Sequence, residues 1–235
     1  MAGGTRELTG VPLRGVRAAV FDAYGTLYDV ASAAERARAS LGDRWQPLAE
    51  LWRAKQLQYT WLRSLMGRHA DFWHVTGDAL DFAMEALGIA DDGLRDRLMA
   101  LYNRSDAYPD ARPALEALRK IGLRTAVLSN GSPRMLAGAG EAAGLTPFLD
   151  EVLSVESVGI YKPSPQVYRL ALDQLRLWPS EILFVSANGW DAAGAKAAGL
   201  RVAWCNRTGQ PVERLGEPPD AIVRSLAELP ALVGA

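Results

Sequence analysis

Asp22 ends the apolar run Ala18-Ala-Val-Phe21 and is followed by Ala-Tyr-Gly-Thr-Leu27, so a strand delivers a carboxylate into a turn made at Gly25. A carboxylate beyond the carboxyl end of a buried parallel strand faces the crevice where ligands of open α/β sheets collect, and there it can act as a nucleophile. An Asp that merely caps the next turn leaves the same letters. Further along, other apolar runs also end in polar residues that a buried strand does not need: Ser129 and Asn130, then Lys162, then Ser186, Asn188 and Asp191, with Thr26 closing the first turn. Singly, each reads equally well as a helix cap or, for Asn130-Gly131, a turn. Together they place two carboxylates, an ammonium, hydroxyls and an amide at adjoining strand ends, a set able to hold a small anion beside a nucleophile. Lys162 is then the counter-charge to Asp22, while Ser129 and free N–H groups of the loop after Asp22 suit a substrate carboxylate.

The elements that must position these residues follow from periodicity. Continuous apolar character predicts strands at 18–21, 124–129, 151–154, 182–186 and 201–205, with a last edge strand at 221–223. Helices are predicted at 132–143, 165–175 and 191–198, so the second half alternates strand and helix, the pattern of parallel βαβ units. Between about Val30 and Arg104 no convincing strand appears. Leu48, Leu51, Trp52, Tyr59, Leu62 and Met66 recur at helical spacing, as do Phe72, Val75, Ala79, Phe82 and Leu87, then Leu94, Leu98 and Leu101. One strand, a helical block, then the remaining α/β units predicts a doubly wound, Rossmann-like parallel sheet core (1–29 and 107–235) with an inserted helical cap subdomain (30–106) above Asp22. Residues 1–15 show no period and are expected to be a loose tail.

Composition narrows the function classes. The chain has 235 residues, 49% hydrophobic and 23% charged, with a net charge of -1, which gives no basic field for nucleic acid. Cys205 is the one cysteine, so no intrachain disulfide forms, and it reads as a small buried apolar residue. No apolar run approaches the roughly 18 residues that cross a bilayer, and no basic-then-apolar signal pattern opens the chain. A soluble cytoplasmic protein with no membrane association is expected. Gly138-Ala-Gly-Glu-Ala-Ala143 fits a dinucleotide fingerprint in letters but falls inside a predicted helix. Asn206-Arg-Thr208 matches a glycosylation acceptor with no sign of a secretory route. His69 and His74, five residues apart, do not share a helix face well enough for a metal pair.

Four segments, Asp22-Ala-Tyr-Gly-Thr-Leu27, Ser129-Asn-Gly-Ser132, Tyr161-Lys-Pro163 and Phe184-Val-Ser-Ala-Asn-Gly-Trp-Asp191, resemble in order and spacing the motifs of the haloacid dehalogenase superfamily. Leu51-Trp-Arg-Ala-Lys-Gln-Leu-Gln-Tyr-Thr-Trp-Leu-Arg-Ser-Leu-Met66 resembles the cap helix of its (S)-2-haloacid dehalogenase branch, and the likeness covers nearly the whole chain. Most members of the superfamily are magnesium phosphatases, which carry a second Asp two residues after the nucleophile to protonate the leaving oxygen. Here that position is Tyr24. A halide leaves as a stable anion and needs no proton, so the branch resemblance implies dehalogenation without a metal or other cofactor. A phosphatase of the same fold, and a non-catalytic binding protein with this fold, are the alternatives.

The resemblance also implies roles. Asp22 attacks C2 of a 2-haloalkanoate, and Asp191 with Asn188 and Lys162 positions or deprotonates the water that cleaves the resulting ester. Arg53 with Asn130 accepts the halide, although on its own Arg53 reads as a solvated helix charge. Ser129 and the N–H groups of Ala23, Tyr24 and Asn130 bind the substrate carboxylate. Thr26 and Ser186 orient Asp22, and Tyr168 orients Lys162. Tyr24, Leu57, Phe72 and Trp190 wall the alkyl chain, and a homodimer is expected from the surplus of apolar residues on the cap helix. Ala54 and Ala187 depart from the branch, which often has a longer polar residue and Ser there, and both bear on chain-length and halide preference.

Overall fold

A computed structural model describes residues 12–234. Among them the chain runs β1 (Ala18–Phe21), α1 (Ser32–Arg36), α2 (Arg38–Leu41), α3 (Trp45–Leu65), α4 (Phe72–Ala86), α5 (Asp92–Tyr102) and α6 (Ala111–Lys120). It continues with β2 (Arg124–Ser129), α7 (Pro133–Ala142), β3 (Glu151–Ser154), α8 (Pro165–Leu175), β4 (Ile182–Ser186), α9 (Gly189–Ala197), β5 (Arg201–Cys205), β6 (Ala221–Val223) and α10 (Leu229–Leu232). Every ladder is parallel, in the order β3-β2-β1-β4-β5-β6.

That order explains why Asp22 is the pivot. From β1 the chain goes to β2 and β3 on one side, then crosses to β4, β5 and β6 on the other, so the switch in direction falls beside β1. Phe21 is in register with Val127 on β2 and Val185 on β4, and Asp22 N–H donates to the Val185 carbonyl at 2.9 Å. All four β1 residues are fully buried, as a strand with helices on both faces requires. Asp22 is thus the first residue past β1, still tied to β4 by its N–H, at the topological switch point where doubly wound folds bind their ligands.

The helices α1 to α5 lie between β1 and β2 and cap the sheet's carboxyl edge, with α3 and α4 packed as a long hairpin. Trp52 on α3 fastens the hairpin through its Nε1–H, which donates to the Thr76 carbonyl at 2.9 Å. The apolar periodicity of these helices is only partly used in packing. Leu48, Trp52, Phe72, Val75 and Ala79 are buried, whereas Leu62, Met66 and Phe82, read from sequence as part of the same stripes, are exposed.

Other expectations shift by a residue or two. Ser132 is the N-cap of α7, its Oγ accepting from Met135 N–H, and α7 starts at Pro133. The helix expected from Asp191 begins two residues earlier, at Gly189. The expected N-terminal tail lies mostly outside the described residues, and its described end is pinned: Leu13 is buried and its N–H donates to the Leu232 carbonyl at 2.7 Å. None of the described helices is long and apolar enough to cross a membrane.

Candidate active site

Both oxygens of the Asp22 carboxylate are held from the core. Oδ1 accepts Lys162 Nζ at 3.0 Å, and Oδ2 accepts Thr26 Oγ1 at 3.1 Å and Asn188 Nδ2 at 2.8 Å. Thr26 is fixed in turn by Ala187 N–H, which donates to Thr26 Oγ1 at 2.8 Å. The carboxylate is therefore held in one orientation by three donors, one of them itself anchored.

Lys162 is 1% exposed and sits between two carboxylates, with Nζ also donating to Asp191 Oδ2 at 2.9 Å. Burial alone lowers a lysine pKa, but the Asp191 and Asp22 charges and their hydrogen bonds outweigh it and hold Lys162 above its ordinary value. Burial pushes the Asp191 carboxyl up from the usual range, with the Asp22 charge adding to it against the opposing pull of Lys162. A carboxylate so placed is a stronger base than a solvated one, which suits a group that takes a proton from water.

Two residues act on partners other than those expected. Tyr168 does not reach Lys162; its hydroxyl donates to Asp191 Oδ1 at 2.7 Å, so the α8 tyrosine orients the second carboxylate. Ser186 does not hold Asp22; its Oγ accepts the N–H of Asn188 at 3.1 Å and shapes the loop that carries the Asn188 amide. In both cases the hydroxyl stands one residue further along the chain of contacts than the spacing suggested.

Facing Asp22 across the sheet edge, Ser129 Oγ accepts Gly131 N–H at 3.0 Å and Asn130 Oδ1 accepts Lys162 N–H at 3.0 Å, which leaves the Asn130 amide nitrogen as a donor. Among the described residues the N–H groups of Ala23, Tyr24 and Asn130 have no hydrogen-bond acceptor. A Cβ at Gly131 would stand 2.7 Å from Tyr24 Cε2, so only glycine lets the β2 loop close on the Tyr24 ring. The result is a cluster of unpaired donors beside the carboxylate, a site for an anionic group.

Arg53 enters from α3. Its guanidinium reaches the Tyr24 carbonyl at 3.3 Å and Asn188 Oδ1 at 3.4 Å, and so lies across the mouth of the cleft and not in solvent. Leu57, half-buried, follows one turn later on the same helix face. Trp190 is half-buried on α9, and its ring meets Trp61 edge-on at 5.4 Å. Phe72 is buried against Tyr24 and Tyr161, with ring centroids at 5.9 and 6.1 Å. The Tyr24 ring stacks on Tyr102 at 5.4 Å. Ala54 borders a cleft of about 410 Å³ beside Arg53, where a longer side chain would intrude.

Sequence reasoning missed Gln56, Tyr102 and Trp61. Gln56 had a signal in its spacing, an amide three residues after Arg53 on one helix face, whereas Tyr102 and Trp61 had none beyond apolar spacing. The discounted residues make no hydrogen bond to the Asp22–Lys162–Asp191 cluster, and the His69 ring packs 5.1 Å from Tyr161. His74 Nε2 lies 3.4 Å from Asp78, and the Cys205 thiol is buried and pushed up to about 11 by that burial. Among the described residues no group of three or more His, Cys, Asp or Glu side chains is placed to hold a metal ion.

Comparison with known proteins agrees with this geometry. Residues 16–199 match the family model described as haloacid dehalogenase-like hydrolase. (S)-2-haloacid dehalogenase 1 of Pseudomonas sp. (strain CBS-3) is 47% identical, with 93% of this chain and 96% of that protein covered. (S)-2-haloacid dehalogenase 4A of Burkholderia cepacia is 46% identical, over 91% of this chain and 93% of that one. The solved L-2-haloacid dehalogenase of Xanthobacter autotrophicus with chloropropionic acid covalently bound superposes with a TM-score of 0.87 at 41% identity, covering 93% of this chain and 98% of that chain. The chain belongs to the haloacid dehalogenase-like hydrolases.

Proposed function

We infer that the protein hydrolyses (S)-2-haloalkanoic acids to (R)-2-hydroxyalkanoic acids and halide through an ester on Asp22. The observation that carries this reading is the Asp22 carboxylate at the end of β1, held by Lys162, Thr26 and Asn188, with Tyr24 and not an acid two residues on. The covalent chloropropionate of the Xanthobacter relative supports it.

In the first step a carboxylate oxygen of Asp22 attacks C2 from the side opposite the halogen. The C–O bond forms as the carbon–halogen bond breaks, the bonding pair leaves with the halide, and the centre inverts. Arg53 and the Asn130 amide receive the halide, while Ser129 and the free N–H groups of Ala23, Tyr24 and Asn130 hold the substrate carboxylate. The apolar wall is Tyr24, Leu57, Phe72 and Trp190. In the second step water attacks the Asp22 carbonyl carbon and yields its proton to Asp191, which Lys162 and Tyr168 orient. Collapse breaks the bond between that carbon and the ester oxygen, and the departing oxygen takes back the proton from Asp191. The hydroxy acid leaves with an oxygen that began on Asp22, and the new carboxyl gives its remaining proton to solvent, which regenerates the Asp22 carboxylate.

Residues 30–106 act as a cap on a discontinuous core of 1–29 and 107–235, of which 1–11 and 235 lie outside the described residues. The reaction runs without a metal, because Lys162 supplies the positive charge between the two carboxylates. The setting is cytoplasmic, in keeping with a buried free cysteine. The protein is a homodimer, supported by the exposed Leu62, Leu65, Trp73 and Phe82 on α3 and α4 and Met66 just past the end of α3, apolar side chains of the kind that mark association sites. Light scattering is expected to give twice the chain mass, and a monomer would refute the assembly.

Chloride release from the separate enantiomers of 2-chloropropionate, in the presence of a chelator, tests the reaction. The S form is expected to release chloride with inversion and the R form none. Phosphate release from simple esters that depends on magnesium, with no chloride release, would place the protein among the phosphatases of the fold instead.

A further inference from the structure

Where Arg53 points is set by a residue outside the four motifs. We propose that Gln56 is a positioning residue that aims the Arg53 guanidinium at the departing halide while leaving its charge free. This rests on the dehalogenase reading, in which the departing halide is the anion that Arg53 receives.

The argument is a directed chain of hydrogen bonds inside the cap. The Thr76 hydroxyl donates to the Phe72 carbonyl at 2.6 Å. Its single proton is therefore committed, and toward Gln56 it can only accept, which it does from Nε2 at 2.7 Å. That fixes which end of the Gln56 amide faces which neighbour, and Oε1 is left to accept Arg53 Nη1 at 2.7 Å. The Tyr102 hydroxyl closes the amide from α5, 3.0 Å from Nε2 and 3.3 Å from Oε1. Gln56, Thr76 and Tyr102 are all buried, so water does not compete for these bonds. On the opposite side the contacts of Arg53 Nη2 to Tyr24 and Asn188, 3.3 and 3.4 Å, are long for hydrogen bonds. The firm grip is thus on the cap side, and the nitrogen that faces the cleft is held loosely enough to turn to an anion.

The amide chemistry is specific to that task. A carboxylate at residue 56 would also orient the guanidinium, but its negative charge would neutralise the cation that the halide needs and repel both the halide and the substrate carboxylate. It would also face Thr76 with an acceptor where a donor is required. An apolar residue would leave the Tyr102 hydroxyl unpaired, the Thr76 oxygen without the donor it accepts from, and Arg53 free to swing. A neutral acceptor with a donor on its other end satisfies every group at once.

The competing account is a strut that joins α3, α4 and α5 and has no bearing on catalysis. Wild type, Gln56→Glu, Gln56→Met and Thr76→Val separate the two when compared by melting temperature, by kcat and KM on (S)-2-chloropropionate and (S)-2-bromopropionate, and by inhibition with added bromide. For Gln56→Glu we expect chloride release to slow by about 10²-fold, as for loss of one anion-stabilising group. Bromide release should slow about tenfold less, because the better leaving group leans less on Arg53, and added bromide should inhibit more weakly. Thr76→Val, which unlocks the amide without adding charge, is expected to shift the chloride-to-bromide ratio in the same direction by a smaller factor. It also keeps the test open if Gln56→Glu fails to fold. In an Arg53→Ala background Gln56→Glu should add no further loss. Equal losses on both halides with unchanged bromide inhibition and a lower melting temperature would establish the strut and overturn the proposal. Wild-type activity that survives Arg53→Ala would instead overturn the role of Arg53 in the parent reading.

Discussion

In a single turnover run in heavy-oxygen water, the hydroxy acid is expected to leave unlabelled, and the label to appear in the peptide that contains Asp22. The oxygen that bonds to C2 is the carboxylate's own, so water reaches product only in a later turnover, after it has refilled the side chain. Asp22→Asn is expected to remove halide release by about 10⁴-fold or more, the scale on which enzymes lose rate when a covalent nucleophile goes. The variant should stay folded, because an amide fits the same space and can still accept Lys162 Nζ at its oxygen, while its nitrogen faces acceptor capacity on Thr26 Oγ1 and gives up the bond from Asn188 Nδ2, which keeps the Tyr24 carbonyl as an acceptor. Label found in the first-turnover product, with none in the protein, would mean that water attacks C2 directly. Asp22 would then be a general base, and the wide spread of donors around its carboxylate would need another explanation. Mass measurement of the product and of the digested protein reads both outcomes in one experiment.

The sheet was legible because parallel strands covered on both faces are written as uninterrupted apolar runs, and β1 through β6 fall where those runs stand. Asp22 and Ser129 were legible for the same reason, since they close β1 and β2, whereas Lys162 stands in the loop beyond β3 and Asp191 on α9, and both were found as polar residues that follow their strands. What the sequence did not contain was the choice of partner. Tyr168 and Ser186 were expected to steady Lys162 and Asp22, and they steady Asp191 and the Asn188 loop instead. Spacing brings a hydroxyl into a neighbourhood, whereas the way α8, α9 and β4 pack decides which of two adjacent polar groups it meets. The cap hid more. Gln56, Thr76 and Tyr102 lie on three helices, and periodicity gives each helix a buried face without saying which side chains on those faces meet. Leu62, Met66 and Phe82 show the converse, since helical spacing cannot tell an apolar side chain used inside the monomer from one left on its surface.

Lys162→Met is expected to cost about 3–5 kcal/mol of folding stability, the range for removing one member of a buried ion cluster. In a chain of this length that is roughly 6–20 °C in melting temperature. Lys162 Nζ lies 3.0 Å from Asp22 Oδ1 and 2.9 Å from Asp191 Oδ2, with Lys162 and Asp191 shut off from solvent and Asp22 open only at the cleft. The methionine fills the space but leaves two carboxylates facing each other with the ammonium between them gone. The pH dependence follows from the directions of the shifts. In the wild type the lysine is held above its ordinary value, so its contribution is complete at neutral pH and is lost only as pH rises through that elevated value. Asp191 is already raised by burial, and without the lysine its carboxylate form is disfavoured further. The variant should therefore regain stability as falling pH protonates Asp191, and the gap to wild type should narrow between pH 8 and pH 5. Lys162→Met combined with Asp191→Asn, which removes one of the stranded charges, is expected to recover part of the loss at pH 8 while remaining inactive, because the water-activating base is gone. Melting curves of the two variants and the wild type across that range check the argument. A Lys162→Met protein as stable as the wild type at pH 8, with no dependence on pH, would mean that the ammonium does not hold the two carboxylates together.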